Sequence, residues 1–578
     1  MMRTPFVEAI VGMAFLSVVS AAAADSTAAA ALDVGSARGV QPALNAGTFG
    51  LFPPADFRLV KGECADCGTI EQARWYFRDD LIAVPKPGLN VSGFSRRIAP
   101  QVDVNRWFQN ASAEDLKALA PLVWIGSPSI AFDATLLPTG DQVRLADGTI
   151  LRFRLTPKIA SNRSYYDAKT AAFFQQRRIR IRGKTEQDAD AMPALVARTI
   201  WPQDYVIDQA RLKLLPLRGS ETLSQLVRRE PNAERERYEV RLLWERSPGK
   251  PREWADLAVL GLLLNGAQGD DDEAHGGHFA VVTGRYAQNG EWADWMVNNF
   301  YNLDYFSEKG IVASMLPMDN YLLDLNSGQS YYRPSYMLVA ILRNDHAAYA
   351  YQGAIQRVYN RFYRHDFSYR HAGANCGGIS VDTLRSLGWN IPARGSTSYL
   401  KALASYPYMA IREMSLESGR KSYEYLSEEQ TRLYPAVTFD AAGRDLLQLV
   451  GAVPGSGRKA SAFEQELQRD VEAILFVRIP QIPSSRAFGL YPVASIDEYM
   501  SRVPEDKSQW KIVPVDPRPF PNEFIDDDTL NDARNPGWPV VAGIVVLIVG
   551  VLYVRLLRRQ RARTAQVDPL DRGGSADR

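Results

Sequence analysis

YRHAGANCGGISVDTLRSLGW, residues 369–389, is the stretch from which the fold and the chemistry of this chain are read. Val381, Leu384 and Leu387 recur at helical spacing, and Gly388 followed by Pro392 supplies a helix stop. Cys376 therefore stands at or just before a helix N-terminus, where unpaired N–H groups and the helix dipole favour thiolate. The same N–H groups can stabilise an oxyanion, and small residues let a substrate approach the backbone. Asn375, Gly377 and Gly378 are thus candidates for substrate or oxyanion contact.

Working outward, Cys376 is the only one of three cysteines without a close partner, since Cys64 and Cys67 form a CxxC. The five histidines, His275, His278, His346, His365 and His371, all lie within 101 residues ahead of it. One leftover thiol with every imidazole nearby points to a cysteine nucleophile and a histidine base. His278 opens HFAVVTGR, a strand-forming run, and Asn289-Gly290 is a hairpin-turn pair before EWADWMVNNFY. With those two residues at the turn, paired residue numbers sum to 579, so Ala280 faces Asn299 and His278 lies diagonally beside it. Asn299 is then in reach to hold the imidazole in the tautomer that accepts a thiol proton. His275 is an alternative orienting group or an ordinary loop histidine, and His365 and His371 flank a loop near the site.

A histidine on a strand, followed later by Asn-Cys at a helix start, resembles the circularly permuted papain-like enzymes. These are relatives of bacterial cell-wall endopeptidases and of lecithin retinol acyltransferase. HGGHFAVVTGR looks like the base strand and the 369–389 stretch like the nucleophile segment of an uncharacterised, membrane-anchored bacterial branch. The resemblance covers about residues 255 to 415 and implies Cys376 as nucleophile, His278 as base and Asn299 in the third place. It implies a papain-like α+β fold and acyl transfer from an amide or ester. A papain-like fold that only binds, as an envelope-binding or scaffold protein, is the rival reading.

Both ends of the chain read as membrane signals. An apolar run from Ile10 to Val19 and the small residues Ala21 to Ala24 make residues 1–24 a signal peptide. WPVVAGIVVLIVGVLYV, from Trp538 to Val554, carries no charge and is followed by Arg555, Arg558, Arg559, Arg561 and Arg563. That pattern predicts one transmembrane helix over 537–557 with the tail 558–578 in the cytoplasm and the body outside it, in the periplasm. A net charge of +1 and 46% hydrophobic residues describe an ordinary globular body and give no electrostatic case for nucleic acid.

The expected architecture is multidomain and mainly α+β. A flexible lead-in over 25–56 precedes a β-rich domain over 57–246 and a permuted papain-like domain over 247–430. An α-rich extension over 431–512 and a stalk over 513–536 complete it. Asp147-Gly148 in LADGTILRFRL predicts a hairpin, and RRIRIRG places Arg178, Arg180 and Arg182 on one strand face, read as solvated. Cys64 and Cys67 suit a local disulfide in an oxidising compartment better than a redox pair or half a zinc site. GDDDEAHGGH is read as a solvated loop, so no metal or other cofactor is expected. The partners this implies are a cell-envelope substrate (peptidoglycan peptide, lipid or lipoprotein) and a membrane held through the C-terminal helix.

Overall fold

Residues 258–265 and 335–342, AVLGLLLN and SYMLVAIL, are buried at every position, the pattern of strands covered on both faces. They form the centre of a ten-stranded sheet in a structure that is a computed structural model. It describes residues 40–42, 49–52, 57–60, 82–85, 99–119, 122–125, 129–155, 167–229, 237–267, 275–304, 307–323, 333–363, 369–455, 457–483 and 491–502, with isolated positions beyond.

In chain order the strands are β1 (Val40–Pro42), β2 (Phe57–Val60), β3 (Ile82–Pro85), β4 (Leu122–Ile125), β5 (Ser129–Leu136) and β6 (Gln142–Arg144). There follow β7 (Ile150–Leu155), β8 (Ile179–Gln187), β9 (Pro193–Pro202), β10 (Glu239–Glu245) and β11 (Ala258–Asn265). The last are β12 (His278–Arg285), β13 (Met296–Asp304), β14 (Ser307–Pro317), β15 (Ser335–Leu342) and β16 (Val471–Ile479). The large sheet runs β10-β16-β15-β11-β12-β13-β14-β3-β4-β2. Helices His346–Tyr363, Cys376–Ser386 and Pro435–Leu449 pack on its central strands.

The remaining strands make a second sheet, β1-β5-β6-β7-β9-β8, which the pairing of β5 with β8 closes into a five-stranded barrel. Its one parallel contact is β7 with β9, and helix Ala168–Gln175 lies in the chain between β7 and β8. This is the connectivity of an OB-type Greek-key barrel, a scaffold that by itself assigns no function. The Asp147-Gly148 hairpin is present between β6 and β7, with Gly148 at φ 86°, a conformation that glycine adopts without a Cβ penalty.

Several expected boundaries are corrected by this topology. β2, β3 and β4 join the large sheet at its far edge and β10 at the other, so a cut at 246 runs through one hydrogen-bonded layer. The expected C-terminal extension supplies β16 between β10 and β15, and its helix Pro435–Leu449 covers β11 and β12. Residues 1–524 are one unit and 525–578 a second.

The membrane architecture is also corrected. Among the described residues no helix is long and apolar enough to cross a membrane. Residues 537–553 of the expected span lie outside the described residues, and the described fold is α and β with a barrel and a sheet. The single-pass placement with a periplasmic body and cytoplasmic tail loses its support with that helix. The signal-peptide residues 1–24, the Cys64–Cys67 pair and the acidic run 270–273 likewise lie outside the described residues.

Arg180 and Arg182 are buried, not solvated; Arg178 alone of the three stays exposed. Arg182 Nη2 donates to Asp319 Oδ2 at 2.8 Å and to Oδ1 at 3.0 Å. Arg180 donates to both oxygens of Asp294, and its Nε lies 3.2 Å from Asp319 Oδ2. Burial pushes both guanidiniums down; Asp294, Asp319 and Glu291 outweigh it for Arg180, while Arg182 remains lowered. Asp294 sits in the β12–β13 connection and Asp319 in helix Met318–Leu323, so these bonds tie barrel strand β8 to the large sheet. Removing one member of a buried ion pair strands its partner's charge. Asp319→Ala should therefore cost about 3–5 kcal/mol, read as a lower urea midpoint. A loss within ~0.5 kcal/mol, the range of an ordinary surface change, would contradict this account.

Candidate active site

His278 begins β12 directly opposite Asn265, the residue that ends β11, and Asn265 is in turn opposite Ser335 at the start of β15. Three neighbouring strands thus place polar residues in a row at one end of an otherwise apolar sheet. Asn265 Nδ2 donates to Ser335 Oγ at 3.0 Å, and the Tyr321 hydroxyl donates to Asn265 Oδ1. Tyr321 belongs to helix Met318–Leu323, the same short helix that Asp319 anchors to the barrel arginines. Its ring centroid lies 6.5 Å from that of His278.

The register expected for β12 and β13 is the one found: Val281 pairs with Asn298, Val282 with Val297 and Thr283 with Met296. The turn differs. Pairing stops at Thr283 and Met296, and Asn289-Gly290 lies in a longer connection that reaches away to the segment after β9. Ile207 N–H donates to Gly290 O at 2.9 Å, and Gly290 has φ 73° with Ile207 O where a Cβ would stand. The strands are held in register by their apolar faces and not by a tight turn.

That register brings Asn299 to His278. Nε2 of His278 and Oδ1 of Asn299 share a short hydrogen bond. An amide oxygen only accepts, so Nε2 carries the hydrogen and Nδ1 keeps its lone pair. Asn299 lies opposite Ser314 in β14, and the Tyr359 hydroxyl donates to Ser314 O at 3.2 Å, steadying the strand pair from behind.

Cys376 is the first residue of helix Cys376–Ser386, which packs on β12. The backbone N–H groups of Phe279, next in the chain to His278, and of Gly377, with the Tyr369 side chain, act to lower its thiol. Cys376 is 5% exposed, His278 8% and Asn299 1%. The expected depression of the thiol pKa is reversed: burial pushes the thiol up, and the hydrogen bonds and Arg333 only oppose it. Burial also pushes His278 down to about 3, with Arg333 adding to the fall and the Asn299 bond resisting it. The resting pair is a neutral thiol and a neutral imidazole.

Asn375, Gly377 and Gly378 serve the helix more than a substrate. Asn375 is the N-cap: its Oδ1 accepts the Gly378 N–H at 2.8 Å, and its Nδ2 donates to His371 O at 2.8 Å and Leu433 O at 3.1 Å. The Gly378 N–H is thereby committed, and the Gly377 N–H faces the sulfur. A Cβ on Gly377 would stand 2.7 Å from Thr438 Oγ1, and one on Gly378 3.0 Å from Gly373 O. At both glycines neighbouring protein occupies the space that a Cβ would need.

The other described histidines have partners of their own. His275 is turned toward the C-terminal segment, where its carbonyl accepts from Val493 N–H at 2.8 Å and its ring meets Tyr499 edge-on; burial with Arg502 pushes it down to about 4. His346 pairs with Glu466, which raises its pKa. His371 contributes its carbonyl to the Asn375 cap and packs edge-on against Tyr369. His365 lies outside the described residues. No group of three or more metal-ligating side chains occurs among the described residues.

Sequence reasoning missed Asn265, Tyr321, Arg333, Ser335 and Tyr369. A polar residue closing the apolar run AVLGLLLN was the one legible sign of Asn265. Nothing local marks Tyr321 or Arg333, which the topology delivers. Compared with family models, curated proteins and solved structures, the chain finds no match in any of the three.

The buried neutral imidazole has a consequence for acid stability. Unfolded histidine binds a proton below about pH 6.5, whereas folded His278 does so only near 3. Between those values the unfolded chain holds the extra proton, so stability falls as the pH drops. His278→Gln removes that contribution, and its urea midpoint should fall less between neutral and mildly acidic pH than the wild type's. Equal slopes for the two proteins would refute the buried neutral state.

Proposed function

We propose that the protein is a cysteine-dependent acyl-transfer enzyme, a hydrolase or acyltransferase acting on an amide or ester, built on a permuted papain-like arrangement. The observation that carries the reading is the His278–Asn299 hydrogen bond on the strand against which the Cys376 helix packs. That bond leaves His278 Nδ1 as an acceptor, and the backbone of Phe279, the very next residue, acts to lower the Cys376 thiol.

In this mechanism Cys376 Sγ attacks the carbonyl carbon while His278 Nδ1 takes the thiol proton. A carbon–sulfur bond forms and the carbonyl π pair moves to oxygen. The imidazolium is held by Asn299 Oδ1 through Nε2–H. Collapse breaks the bond to the leaving amine or alkoxide, which takes the proton from His278, and leaves an acyl thioester on Cys376. Water or another acceptor, deprotonated by His278, then releases the acyl group and restores the thiol. The helix N-terminus lies beside the developing oxyanion, with Tyr369 as a further donor near the sulfur.

One observation favours a second reading. Cys376 and His278 are nearly inaccessible, and the thiol is held in its neutral form, as in a domain that binds without reacting.

Acetyl transfer from p-nitrophenyl acetate separates the two. The enzyme reading expects an acetyl group on the Cys376 peptide by mass spectrometry and none there in Cys376→Ala. His278→Ala should slow acetylation by roughly 10²–10⁴-fold, the usual contribution of a general base. A wild-type Cys376 that stays unacetylated, in a protein whose fold matches that of Cys376→Ser, would hand the case to the binding reading.

A further inference from the structure

Cys376 and His278 are nearly inaccessible, and one segment of the chain touches the supports of both. Residues 491–502 follow β16 and end in the short helix Ile496–Arg502. On one side the segment meets the approach to His278. Val493 N–H donates to His275 O at 2.8 Å, and the Tyr499 ring stands edge-on to that of His275 with centroids 6.1 Å apart. Gly277, the residue before His278, has φ 71°, and a Cβ there would stand 2.5 Å from Pro492 Cβ. On the other side Ala494 packs against Leu433, Tyr434 and Val437. Leu433 O accepts from Asn375 Nδ2 at 3.1 Å, and Asn375 caps the helix that Cys376 begins. Pro492, Val493 and Ala494 thus bridge the stretch that leads into His278 and the one that supports Cys376.

The hold on this segment is polar. No residue of helix Ile496–Arg502 is buried. Glu498 is the hub: its Oε2 accepts from Arg228 Nη2 and from Ala494 N–H, each at 2.8 Å, and its Oε1 accepts from Arg502 Nη2 at 2.6 Å. Arg502 Nη1 donates to Tyr491 O at 2.6 Å. The guanidiniums of Arg228 and Arg502 lie 4.4 Å and 4.5 Å from the centroid of the Tyr491 ring. Arg228 is the member that belongs to the body, at the end of helix Leu223–Arg228. Partly exposed ion pairs contribute little each, and an element with few buried apolar contacts opens well below the cost of global unfolding. The segment can therefore lift while the two sheets stay folded.

We propose that residues 491–502 are a strap that closes the active site, seated across 275–277 and 433–437 and latched by Glu498, and that it lifts to admit substrate to Cys376. This rests on the enzyme reading above and deepens it with a means of regulation. Burial of the catalytic pair is then a property of the closed state, and not the mark of a domain that only binds. Glu498, Arg228 and Arg502 touch no reacting atom; they act on the site by holding the strap, as positioning residues.

The test pairs hydrogen exchange over residues 491–502 with iodoacetamide alkylation of Cys376, both read by mass spectrometry on the full chain. Glu498→Ala should speed exchange in that segment and alkylation together, by about 10-fold or more, the equivalent of losing one hydrogen bond to a charged group. Arg228→Met cuts the latch from the body side. It should act in the same direction, and it keeps the test readable if Glu498→Ala does not fold. Faster exchange over 491–502 with alkylation at the wild-type rate overturns the proposal, because the segment then lifts without opening the site. Exchange that is unchanged in both variants overturns the latch and the proposal with it. So does alkylation that rises only alongside faster exchange across the whole chain, which is general destabilisation. Failure of the enzyme reading looks different: alkylation answers to the strap, yet Cys376 accepts no acetyl group from p-nitrophenyl acetate in the wild type or in either variant.

Discussion

Two arginines from one barrel strand, closed on Asp319 and Asp294 of the large sheet, set the relation on which the site depends. Arg180, Arg182 and Asp319 are all fully buried, and such a cluster is unforgiving because these three charges are desolvated. Its contribution is to register more than to net stability. Asp319 is fixed in a six-residue helix, and two positions later Tyr321 is delivered to Asn265 and His278. The barrel thereby positions a wall of the site without lending a residue to its chemistry.

The site itself is a compromise between burial and reactivity. Burial lifts the thiol and lowers the imidazole, so proton transfer between them separates charge in a low-dielectric setting. In the proposed reaction the groups that would meet that event are the Phe279 and Gly377 backbone and Tyr369, which act to lower the thiol, and Asn299 behind the imidazole. A charge that forms only during reaction benefits most from groups already oriented toward it. The resting pair stays neutral, and the protein avoids carrying an exposed thiolate.

Much of the Cys376 environment was legible locally. Helical spacing with Asn375 ahead of it is a short-range signal, and the structure has the helix at Cys376–Ser386 with Asn375 as its cap. The β12–β13 register was reached from Asn289-Gly290 as central turn residues, and the pairing found agrees with it. The turn itself was not legible, since Asn289-Gly290 is drawn off by Ile207, a partner far away in the chain. At the glycines after Cys376 local sequence shows a missing Cβ but not that Thr438 and Gly373 stand beside it.

By itself the sequence determined the helix at Cys376, the strand at His278 and the register of that strand with β13, all from signals a few residues long. Only the tertiary structure decided that RRIRIRG is buried, that β16 completes the central sheet, and that Arg333, Tyr321 and Asn265 meet at the strand ends. It also decided the sign of the thiol's shift, against the local expectation. A helix dipole acts within one turn and can be read from neighbours in sequence. Desolvation depends on everything packed around a group, and the Cys376 helix is packed by β12, about a hundred residues earlier, and by helices as distant in the chain as Pro100–Asn110.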